Sequence, residues 1–485
     1  MGLDHDRCYR ALTTRDARFD GVFFVGVTTT GVYCRPVCTA RTPRSDRCRF
    51  FARAAAAEQA GFRPCLRCRP ELAPGNSPLE AVGRIAQAAA MKIDRGALDG
   101  RGCLESLASE LGVGSRQLRR AVTRELGVSP VRLAQTRRLL LAKQLLTETR
   151  LPITEVALAS GFESLRRFNA SFRAHYRLAP RQLRKSSSDT PPGEPLRLRI
   201  GYRPPLAWDE LLRFLAARAI AGVEHISRQT YARSVAIDER QGWLRVSPSE
   251  RGNALSVEFS DSLAPVVGLL LARLRHQFDL AARPDTIAEH LSKDRRIGAA
   301  VRRTPGLRVP GAFDGFELSW RAVLGQQVSV RAATTWAGRF VRSFGAAIDS
   351  PISQLTHLSP SPERIADTKT SRLRQIGITT QRAESIRAMA RSVAGGLLRL
   401  EPGVDVEQTI GQLVELPGIG PWTAQYIAMR ALGWPDAFPE SDLGLKRGLN
   451  ETSSACIRTV AEAWRPWRSY AVMHIWHQLS ARNKS

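Results

Sequence analysis

Apolar positions change their spacing several times along the chain, and each change predicts a different kind of secondary structure. Near the N-terminus, FDGVFFVGVTT places aromatic and β-branched residues after an Asp-Gly turn, which predicts one or two short strands. FARAAAAEQAGF follows with helical spacing and is expected to end near Gly61. Residues 1–75 are therefore predicted to form a small α+β domain, and APGNSP at 73–78 is predicted to be a linker.

The spacing is helical throughout residues 79–185. LESLASELGVGSRQLRRAVTREL predicts an amphipathic helix, a Gly-containing turn and an arginine-rich second helix. The same succession recurs in ITEVALASGFESLRRFNASFRAHY, and a long helix, VRLAQTRRLLLAKQLLTE, separates the two. We therefore predict an all-α domain with two helix-turn-helix units, whose second helices begin near Ser115 and Ser164. Residues 186–195, rich in Ser and Pro, are predicted to be a flexible linker.

Alternating apolar positions return after this linker. LRLRIGY, YARSVAI, GWLRVS and ALSVEFS alternate as strands do, and WDELLRFLAARAI has the spacing of a helix. They predict a second α+β domain over residues 196–310, which includes the helix PVVGLLLARLRHQFDL. Residues 311–485 return to helical spacing and are predicted to form an all-α domain. The predicted fold class is thus multidomain and mainly α, with α+β parts.

Length, composition and charge agree with several folded domains that bind a polyanion. A chain of 485 residues is too long for one hydrophobic core, and 43% hydrophobic residues favour folded domains over disorder. The net charge of +27 indicates a polyanionic partner, with DNA or RNA as the first candidate. The sequence contains no apolar run of roughly 18 residues and opens with no signal peptide, so we expect a cytoplasmic protein without a membrane partner.

Four cysteines in the first domain have the spacing of a metal site. Cys34 and Cys38 form a C-x3-C pair, and Cys65 and Cys68 form a C-x2-C pair. Two close pairs separated by a loop can surround one tetrahedral Zn²⁺, so we expect one zinc ion and no organic cofactor. Spacing alone favours a purely structural zinc ribbon. Positive charge close to the thiolates favours their deprotonated, nucleophilic form, and the region is rich in arginine: Arg35, Arg41, Arg44, Arg47, Arg49, Arg63, Arg67 and Arg69.

The amino-acid sequence of this region is more specific than the spacing of its cysteines. FDGVFFVGVTTTGVYCRPVC followed by GFRPCLRCRPEL resembles the N-terminal domain of the Ada family over roughly residues 7–73. The resemblance implies that the four cysteines hold zinc, that Cys34 accepts a methyl group from a DNA methylphosphotriester, and that Arg67 contacts DNA. Ada proteins also carry a second methyltransferase domain with a Pro-Cys-His-Arg motif. That motif does not occur here, so we expect no repair of O6-methylguanine.

The helical domain resembles the AraC family. The resemblance lies in Gly161-Phe162-Glu163-Ser164 to Phe172, followed by APRQLR. It implies that each helix-turn-helix unit offers one helix to successive major grooves of DNA. Any single arginine on these helices could instead lie on a solvent-exposed helix face without a role in DNA binding. The candidate DNA-binding residues are Arg116, Gln117, Arg119, Arg120, Ser164, Arg166, Arg167 and Asn169.

A second candidate site lies in LPGIGPWTAQYIAMR, which predicts a helix, a tight Gly-x-Gly turn and another helix. Gly418 and Gly420 would let the backbone approach a DNA phosphate, and the following helix would present free N–H groups to it. A bare Gly-x-Gly is more often an ordinary turn between helices. Here Asp442 follows in FPESDLGLKRGL, and its ordinary structural role would be the N-cap of the next helix.

Together these segments resemble the helix-hairpin-helix DNA glycosylases. SWRAVLGQQVSV, WRPWRSYAVMHIW and the preceding α+β domain, which the resemblance implies is TBP-like, narrow this to the AlkA type over about residues 196–485. The resemblance implies that Asp442 is catalytic and that Trp422, Tyr426 and Trp476 form the base pocket, although core packing is a rival role for Tyr426. Gln327 matches the residue that fills the gap left by the flipped base, where AlkA itself has an apolar wedge.

The favoured hypothesis is a fusion of alkylation sensor, transcription regulator and alkylated-purine glycosylase. Lyase-active relatives have a lysine where this chain has Trp422, so we expect a monofunctional enzyme. One alternative is a transcription regulator whose glycosylase-like half is inactive, and another is a zinc-stabilised DNA-binding protein with an inert Cys34. Double-stranded DNA is the expected partner, RNA polymerase is a further candidate, and we expect a monomer in a bacterial cytoplasm.

Overall fold

The computed structural model describes residues 3–74, 83–100, 102–184 and 195–482. Except for their edges, the two expected linkers, at 73–78 and 186–195, lie outside the described residues. The chain divides into two compact units, Met1–Pro204 with Pro248–Ala272, and Pro205–Ser247 with Arg273–Ser485. The segment 196–310 therefore contributes to both units. The mixture of helical parts and two small sheets confirms the predicted fold class.

The first unit begins with a small cysteine module built on a four-stranded sheet. Its strand order is β3-β1-β2-β4, in which β1 pairs antiparallel with β2 and β3, whereas β4 runs parallel to β2. The predicted strand in FDGVFFVGVTT, which is β1, and the helix near Gly61 are confirmed, but α1, β2, β3 and β4 were not predicted. The elements are α1 His5–Thr13, β1 Phe24–Val27, β2 Val32–Cys34, β3 Cys48–Phe51, α2 Ala54–Gln59 and β4 Arg63–Pro64.

Seven helices follow among the residues described between 83 and 184, and they confirm the double helix-turn-helix pattern. The second helix of each unit buries residues of one face and exposes arginines on the other. In α5 the buried residues are Leu118, Val122 and Leu126, whose spacing of four matches the helical repeat. The helices are α3 Arg84–Asp94, α4 Leu104–Glu110, α5 Ser115–Leu126, α6 Pro130–Glu148, α7 Ile153–Ala159, α8 Leu165–Tyr176 and α9 Pro180–Leu183.

The first unit also contains an antiparallel strand pair, β5 Leu196–Gly201 and β9 Ala254–Phe259. A short 3-10 helix, Asp261–Val266, then leads into α11 Val267–Gln277, which begins in this unit. The side chain of Gln144 on α6 donates to the carbonyl of Arg199 on β5 at 2.7 Å. Strand β5 is thus hydrogen-bonded to the long helix that separates the two helix-turn-helix units.

The second unit combines an antiparallel β6-β7-β8 meander with one large helical core. Residues of the meander and of α14 form a buried ionic cluster, in which Arg233 donates to Glu317 at 2.7 Å and Arg321 donates to Glu224 at 3.1 Å. The tract after Phe313 forms two helices, α14 and α15. The first elements are α10 Trp208–Ala216, β6 Glu224–Ile226, β7 Tyr231–Ile237, β8 Arg240–Pro248, α12 Pro284–Leu291, α13 Gly298–Arg303, α14 Gly315–Leu324 and α15 Val330–Phe344.

The remaining helices position the second candidate site. The hairpin joins α19 to α20, and Asp442 stands at the start of α21, as the sequence predicted. Helix α23 closes the described chain and carries Trp476. The elements are α16 Pro362–Ala366, α17 Thr370–Arg374, α18 Thr380–Ala394, α19 Val406–Glu415, α20 Pro421–Arg430, α21 Leu443–Leu449, α22 Ser454–Ala461 and α23 Arg468–Arg482.

Candidate metal centre and active site

The fold brings the four predicted cysteine ligands together. Cys34 ends β2, and because β4 runs parallel to β2, Cys65 follows at the neighbouring position, where its N–H donates to the carbonyl of Tyr33 at 3.0 Å. The four Sγ atoms, which include those of Cys38 and Cys68, all lie within 4.8 Å of one another. Tetrahedral Zn–S bonds of about 2.3 Å place thiolates at roughly such separations. The donor set therefore fits one Zn²⁺.

Two of the flanking arginines are already committed to other contacts. The side chain of Arg35 forms an ion pair with Asp20, and its backbone N–H donates to Cys68 Sγ at 3.3 Å. Arg69 donates to Glu71 and to Glu148, at 2.9 and 2.7 Å. The other six arginines of the region, Arg67 among them, are exposed and can face DNA. Six exposed arginines therefore surround the cluster, of which Arg44 and Arg47 also pair with Asp46.

Three of the four cysteine ligands are almost equally buried, and the fourth is more exposed. Cys34 is 8% exposed, Cys38 6% and Cys65 8%, whereas Cys68 is in the intermediate range. The thiol of Cys34, the predicted methyl acceptor, is thus more buried than that of Cys68. Leu66 and Arg67, between the second cysteine pair, are exposed and mark the open side of this loop.

Removal of the metal should unfold the cysteine module. We expect one Zn²⁺ per chain, and chelation should unfold residues 1–75, because a domain of this size has little hydrophobic core of its own. Metal analysis and circular dichroism would measure both. Cys65→Ala should lower the zinc content, whereas Cys103→Ser, which changes an exposed cysteine outside the cluster, should leave it unchanged. Full zinc content in Cys65→Ala would contradict the assignment. Loss of base excision on chelation would contradict the proposed domain boundaries.

The predicted recognition helices present their polar faces to solvent. Arg116, Gln117, Arg119 and Arg120 of α5 are exposed, as are Arg166 and Arg167 of α8, while Asn169 is half-buried. Two residues of α8 have local roles as well. The Ser164 hydroxyl caps the helix by accepting from the Arg167 N–H at 3.2 Å, and the Arg167 side chain pairs with Glu163 at 3.0 Å. These two contacts compete with direct contact to DNA bases.

Packing at Gly418 and hydrogen bonds from Gln326 fix the conformation of the hairpin between α19 and α20. Gly418 has a φ of 75°, and a Cβ there would lie 2.3 Å from the Ser385 hydroxyl, so glycine is required on both counts. The Gln326 side chain donates to the carbonyl of Gly418 and to the Thr423 hydroxyl, both at 3.0 Å. Gly420 caps α20, and a Cβ there would meet no atom within 4 Å, so its surroundings are open to a ligand. This arrangement suits a DNA phosphate at the N-terminus of α20.

Asp442 combines the structural and the chemical role considered for it. Its Oδ1 accepts from the N–H of Leu445 at 2.9 Å and so caps α21. The indole Nε1 of Trp422 donates to Oδ2 at 3.0 Å, and that of Trp476 donates to Oδ1 at 2.9 Å. The carboxylate is half-buried and is fixed from three sides. Such a preorganised negative charge can stabilise a cation that develops next to it.

Three aromatic side chains lie close to Asp442. The rings of Trp422 and Tyr426 stack almost parallel, with centroids 5.4 Å apart and 7° between their planes. Trp476 lies 6.3 Å from Tyr426. All three are half-buried, and Tyr426 and Trp476 also pack against the hydrophobic core. Flat π surfaces around a carboxylate suit a flat, cationic ligand.

The sequence did not indicate how Tyr426 is fixed. Arg430, one turn further along α20, donates to the Tyr426 hydroxyl oxygen at 2.7 Å, and its guanidinium lies 5.1 Å from the Phe214 ring. The guanidinium of Arg218 also lies over the Phe214 ring, 3.8 Å from its centroid. Burial alone would raise the pKa of Tyr426, but three guanidiniums outweigh it and lower that pKa: those of Arg430, Arg218 and Arg321.

Two further residues of the site have defined positions. Gln327 is exposed in the turn between α14 and α15 and adopts a left-handed φ of 53°, which costs a residue other than glycine about 1 kcal/mol. Glu440, the other carboxylate close in sequence, is paired with Arg458 and does not take part in the Trp–Asp442 contacts.

Comparison with known proteins agrees with these observations. Four family models match the chain: "Metal binding domain of Ada" over residues 7–71, "Helix-turn-helix domain" over 107–186, "AlkA N-terminal domain" over 197–314, and "HhH-GPD superfamily base excision DNA repair protein" over 320–462. The fold and sites thus define a class of DNA-binding repair proteins in which a zinc-binding Ada domain and a helix-turn-helix domain precede AlkA-type glycosylase domains.

Similarity over the whole chain narrows this class to one family. The "Probable bifunctional transcriptional activator/DNA repair enzyme AlkA" of Mycobacterium tuberculosis is 40% identical over 99% of this chain and 97% of its own length. The chain belongs to this family of fused activator and repair proteins. "DNA-3-methyladenine glycosylase 2" of Escherichia coli is 37% identical over 57% of this chain and 96% of its own length.

Similarity to a solved structure supports the glycosylase fold. The "3-methyladenine dna-glycosylase from Archaeoglobus fulgidus" matches with a TM-score of 0.50 and 21% identity, over 59% of this chain and 99% of that chain. Among the described residues, no helix is both long and apolar enough to cross a membrane.

Proposed function

We propose that this protein responds to DNA alkylation in two ways, by excising alkylated purines and by sensing methylated phosphates in order to regulate transcription. The excision part is supported above all by the Asp442 carboxylate, which two indole N–H groups hold beside an aromatic stack. The names of the M. tuberculosis and E. coli relatives support the same activity. Release of alkylated bases from methylated duplex DNA tests it.

The proposed excision follows from charge. An alkylated purine such as 3-methyladenine is cationic, so it departs as a neutral base with the electron pair of the glycosidic bond. The sugar that remains is oxocarbenium-like, and we propose that Asp442 stabilises it and orients the attacking water, whose proton is then lost. The base must first leave the stack and enter a pocket, where Trp422, Tyr426 and Trp476 hold its cationic ring by their π faces. Gly418 and Gly420 bind the DNA backbone nearby.

We also propose that the enzyme is monofunctional. A lyase step needs an amine that attacks the sugar to form a Schiff base, and the position directly after the hairpin carries Trp422 instead. The product would be an abasic site with an intact strand. Strand nicking by the purified protein, without added base or a separate lyase, would contradict this proposal.

Gln327→Ala should lower excision from duplex DNA by about 10-fold, because the amide would no longer compensate part of the few kcal/mol needed to unpair the base. Excision from single-stranded methylated DNA, which has no gap to fill, should change less than about 2-fold. Single-turnover rates on both substrates measure the difference. Gln375→Ala, at another exposed glutamine, is the control and should leave both rates unchanged. Equal losses on the two substrates would remove the gap-filling role.

The sensing part rests on the cysteine module. We propose that Cys34, held with Cys38, Cys65 and Cys68 on one Zn²⁺, accepts a methyl group from a DNA methylphosphotriester in a single turnover. The bound metal would keep the thiols deprotonated at neutral pH. Arg67, exposed beside Cys68, is proposed to contact the DNA backbone. The Ada family model over residues 7–71 supports this proposal.

The regulatory part rests on the two exposed recognition helices. We propose that α5 and α8 read successive major grooves through the arginines already named, and that RNA polymerase is recruited by a monomer of this chain in the cytoplasm. The proposed domains are residues 1–75, 79–185, 196–310 and 311–485, with 186–195 as a linker. A bound duplex footprint of about two half-sites spaced by one helical turn would support the assignment.

A further inference from the structure

The loop that carries Cys65 and Cys68 is connected to helix α6 by buried ionic contacts. Lys143 of α6 is 1% exposed, and its Nζ donates to the carbonyl of Cys65 at 3.1 Å and to Glu71 Oε2 at 2.7 Å. Glu71, three residues after Cys68, is buried as well. A lysine from the helix-turn-helix domain thus contacts the backbone of a metal ligand directly.

A second pair of contacts joins the same loop to the end of α6. Arg69 follows Cys68 directly and adopts a left-handed φ of 56°. Its guanidinium donates to Glu148 at 2.7 Å, to the Thr147 hydroxyl at 3.2 Å and to Glu71 at 2.9 Å. We call Arg69, Glu71, Lys143 and Glu148 the ionic clamp.

The clamp extends to the strand that follows the linker. Glu148 also accepts from the backbone N–H of Arg199 at 3.1 Å and from its Nε at 2.9 Å. On the side of the cysteine module, Arg203 donates to the carbonyl of Asp20 at 2.9 Å. Strand β5, which begins the AlkA-like part of the sequence, is therefore anchored to α6, and the segment directly after β5 is anchored to the cysteine module.

Burial makes these contacts restrictive. A charged group that is buried away from water must remain paired with an opposite charge, because an unpaired buried charge is strongly unfavourable. The left-handed backbone at Arg69 is strained for a residue other than glycine, and such strain persists only where the surroundings enforce it. The cysteine loop is thus held in one position relative to α6, the helix that separates the two recognition helices.

We propose that the ionic clamp fixes the cysteine module to the helix-turn-helix domain, so that the sensor surface and the recognition helices bind one DNA duplex as a single rigid surface. Methylation at the cysteine cluster then changes the affinity of the entire surface, because neither part can reorient independently. The clamp residues are positioning residues, since none of them touches the reacting methyl group. This inference rests on the proposed sensing function.

The test uses the zinc-loaded full chain with Lys143→Met and Glu71→Leu combined. The double substitution removes both buried charges and replaces them by apolar side chains of similar volume, which preserves folding better than removal of one partner. The matched control combines Lys92→Met with Glu110→Leu, which removes a lysine–glutamate pair of the same domain whose two residues lie on α3 and α4, 3.0 Å apart. The DNA probe is a duplex selected from a random-sequence pool by the methylated wild-type protein.

Three readouts distinguish the outcomes. Methyl transfer to Cys34, followed by mass spectrometry, and zinc content should match the wild type in both variants. Wild type and control should bind the selected duplex at least about 5-fold more tightly after methylation, whereas the clamp variant should gain less than about 2-fold. Amide hydrogen exchange over residues 65–72 should be at least about 10-fold faster in the clamp variant only.

An undiminished gain in affinity in the clamp variant, or unchanged exchange over residues 65–72, would overturn the clamp. If wild-type protein is methylated without any gain in affinity, the proposed switch fails. The clamp is then judged by the exchange rates and by its effect on affinity in both methylation states: the clamp variant should bind the selected duplex about 10-fold more weakly than the control, and equal affinities would overturn it.

Discussion

Asp442→Asn should abolish most excision while the protein stays folded and bound to DNA. The loss should reach at least about 10²-fold in the single-turnover rate of 3-methyladenine release, the scale of removing one preorganised charge from a transition state. Asparagine is as good an N-cap as aspartate, so the bond from the Leu445 N–H and helix α21 should survive. The comparison therefore separates the helix-capping role of Asp442 from its charge and from its Oδ2, which accepts from Trp422 and has no equivalent acceptor in asparagine.

The control for this substitution is Glu440→Gln, which neutralises the neighbouring carboxylate. Glu440 is paired with Arg458 at 2.5 Å and is partly exposed, whereas both tryptophan donors bond to Asp442. Loss of the Glu440 charge should change the single-turnover excision rate less than about 3-fold. Both variants should bind methylated duplex DNA with the affinity of the wild type in a titration at fixed salt. Equal release by wild type and Asp442→Asn would remove Asp442 as the catalyst, and loss in Glu440→Gln alone would move the role to that residue.

Sequence patterns predicted the longer elements and the motif residues well, for a physical reason. Helices such as α5 and α18 repeat a buried face over successive turns, so their periodicity is visible in one dimension. Strand β4 has two residues and β3 has four, which is too short for a detectable period. Asp442 and Trp422 lie close enough in sequence for one motif to contain both.

The parts that could not be predicted depend on contacts between distant segments. Phe214 meets Arg430 across more than 200 residues, and nothing local in WDELLRFLAARAI marks that ring as part of the aromatic site. Lys143 looked like one more polar position of a long helix until the fold buried it against Glu71 and the Cys65 carbonyl. The sequence does not reveal which charged residues are buried, because tertiary packing determines the partner of each one.

The second large effect is expected at Cys34. Incubation with methylphosphotriester DNA should add one methyl group per chain, and only at Cys34. The thiolate sulfur attacks the methyl carbon, the carbon–oxygen bond breaks, and its electron pair stays on the phosphate, which becomes an ordinary anionic diester. A thioether replaces a thiolate, so the cysteine cluster loses one negative charge. Since nothing in the reaction returns the methyl group, transfer should stop after one equivalent.

The buried thiol of Cys8 in the same module provides a matched control. Burial, and secondarily Asp4, raise the pKa of Cys8 to about 11, so it stays protonated and unreactive at neutral pH. Cys8→Ala should therefore transfer one methyl group as the wild type does, whereas Cys34→Ser should transfer none. Peptide mapping by mass spectrometry identifies the modified residue. A methyl group on Cys68, the most exposed ligand, would overturn the assignment to Cys34.

The lost negative charge should also change the affinity for DNA. A less negative cluster repels the phosphate backbone less, while the six exposed arginines around it stay positive. The expected gain is about 1–3 kcal/mol, typical of coupling between two sites, and it should shrink as salt rises. Titration of a selected duplex with both forms at two salt concentrations measures it. Methylation at Cys34 without any change in affinity would leave the repair reaction in place and exclude the charge switch, because the same transfer would then have no consequence for DNA binding.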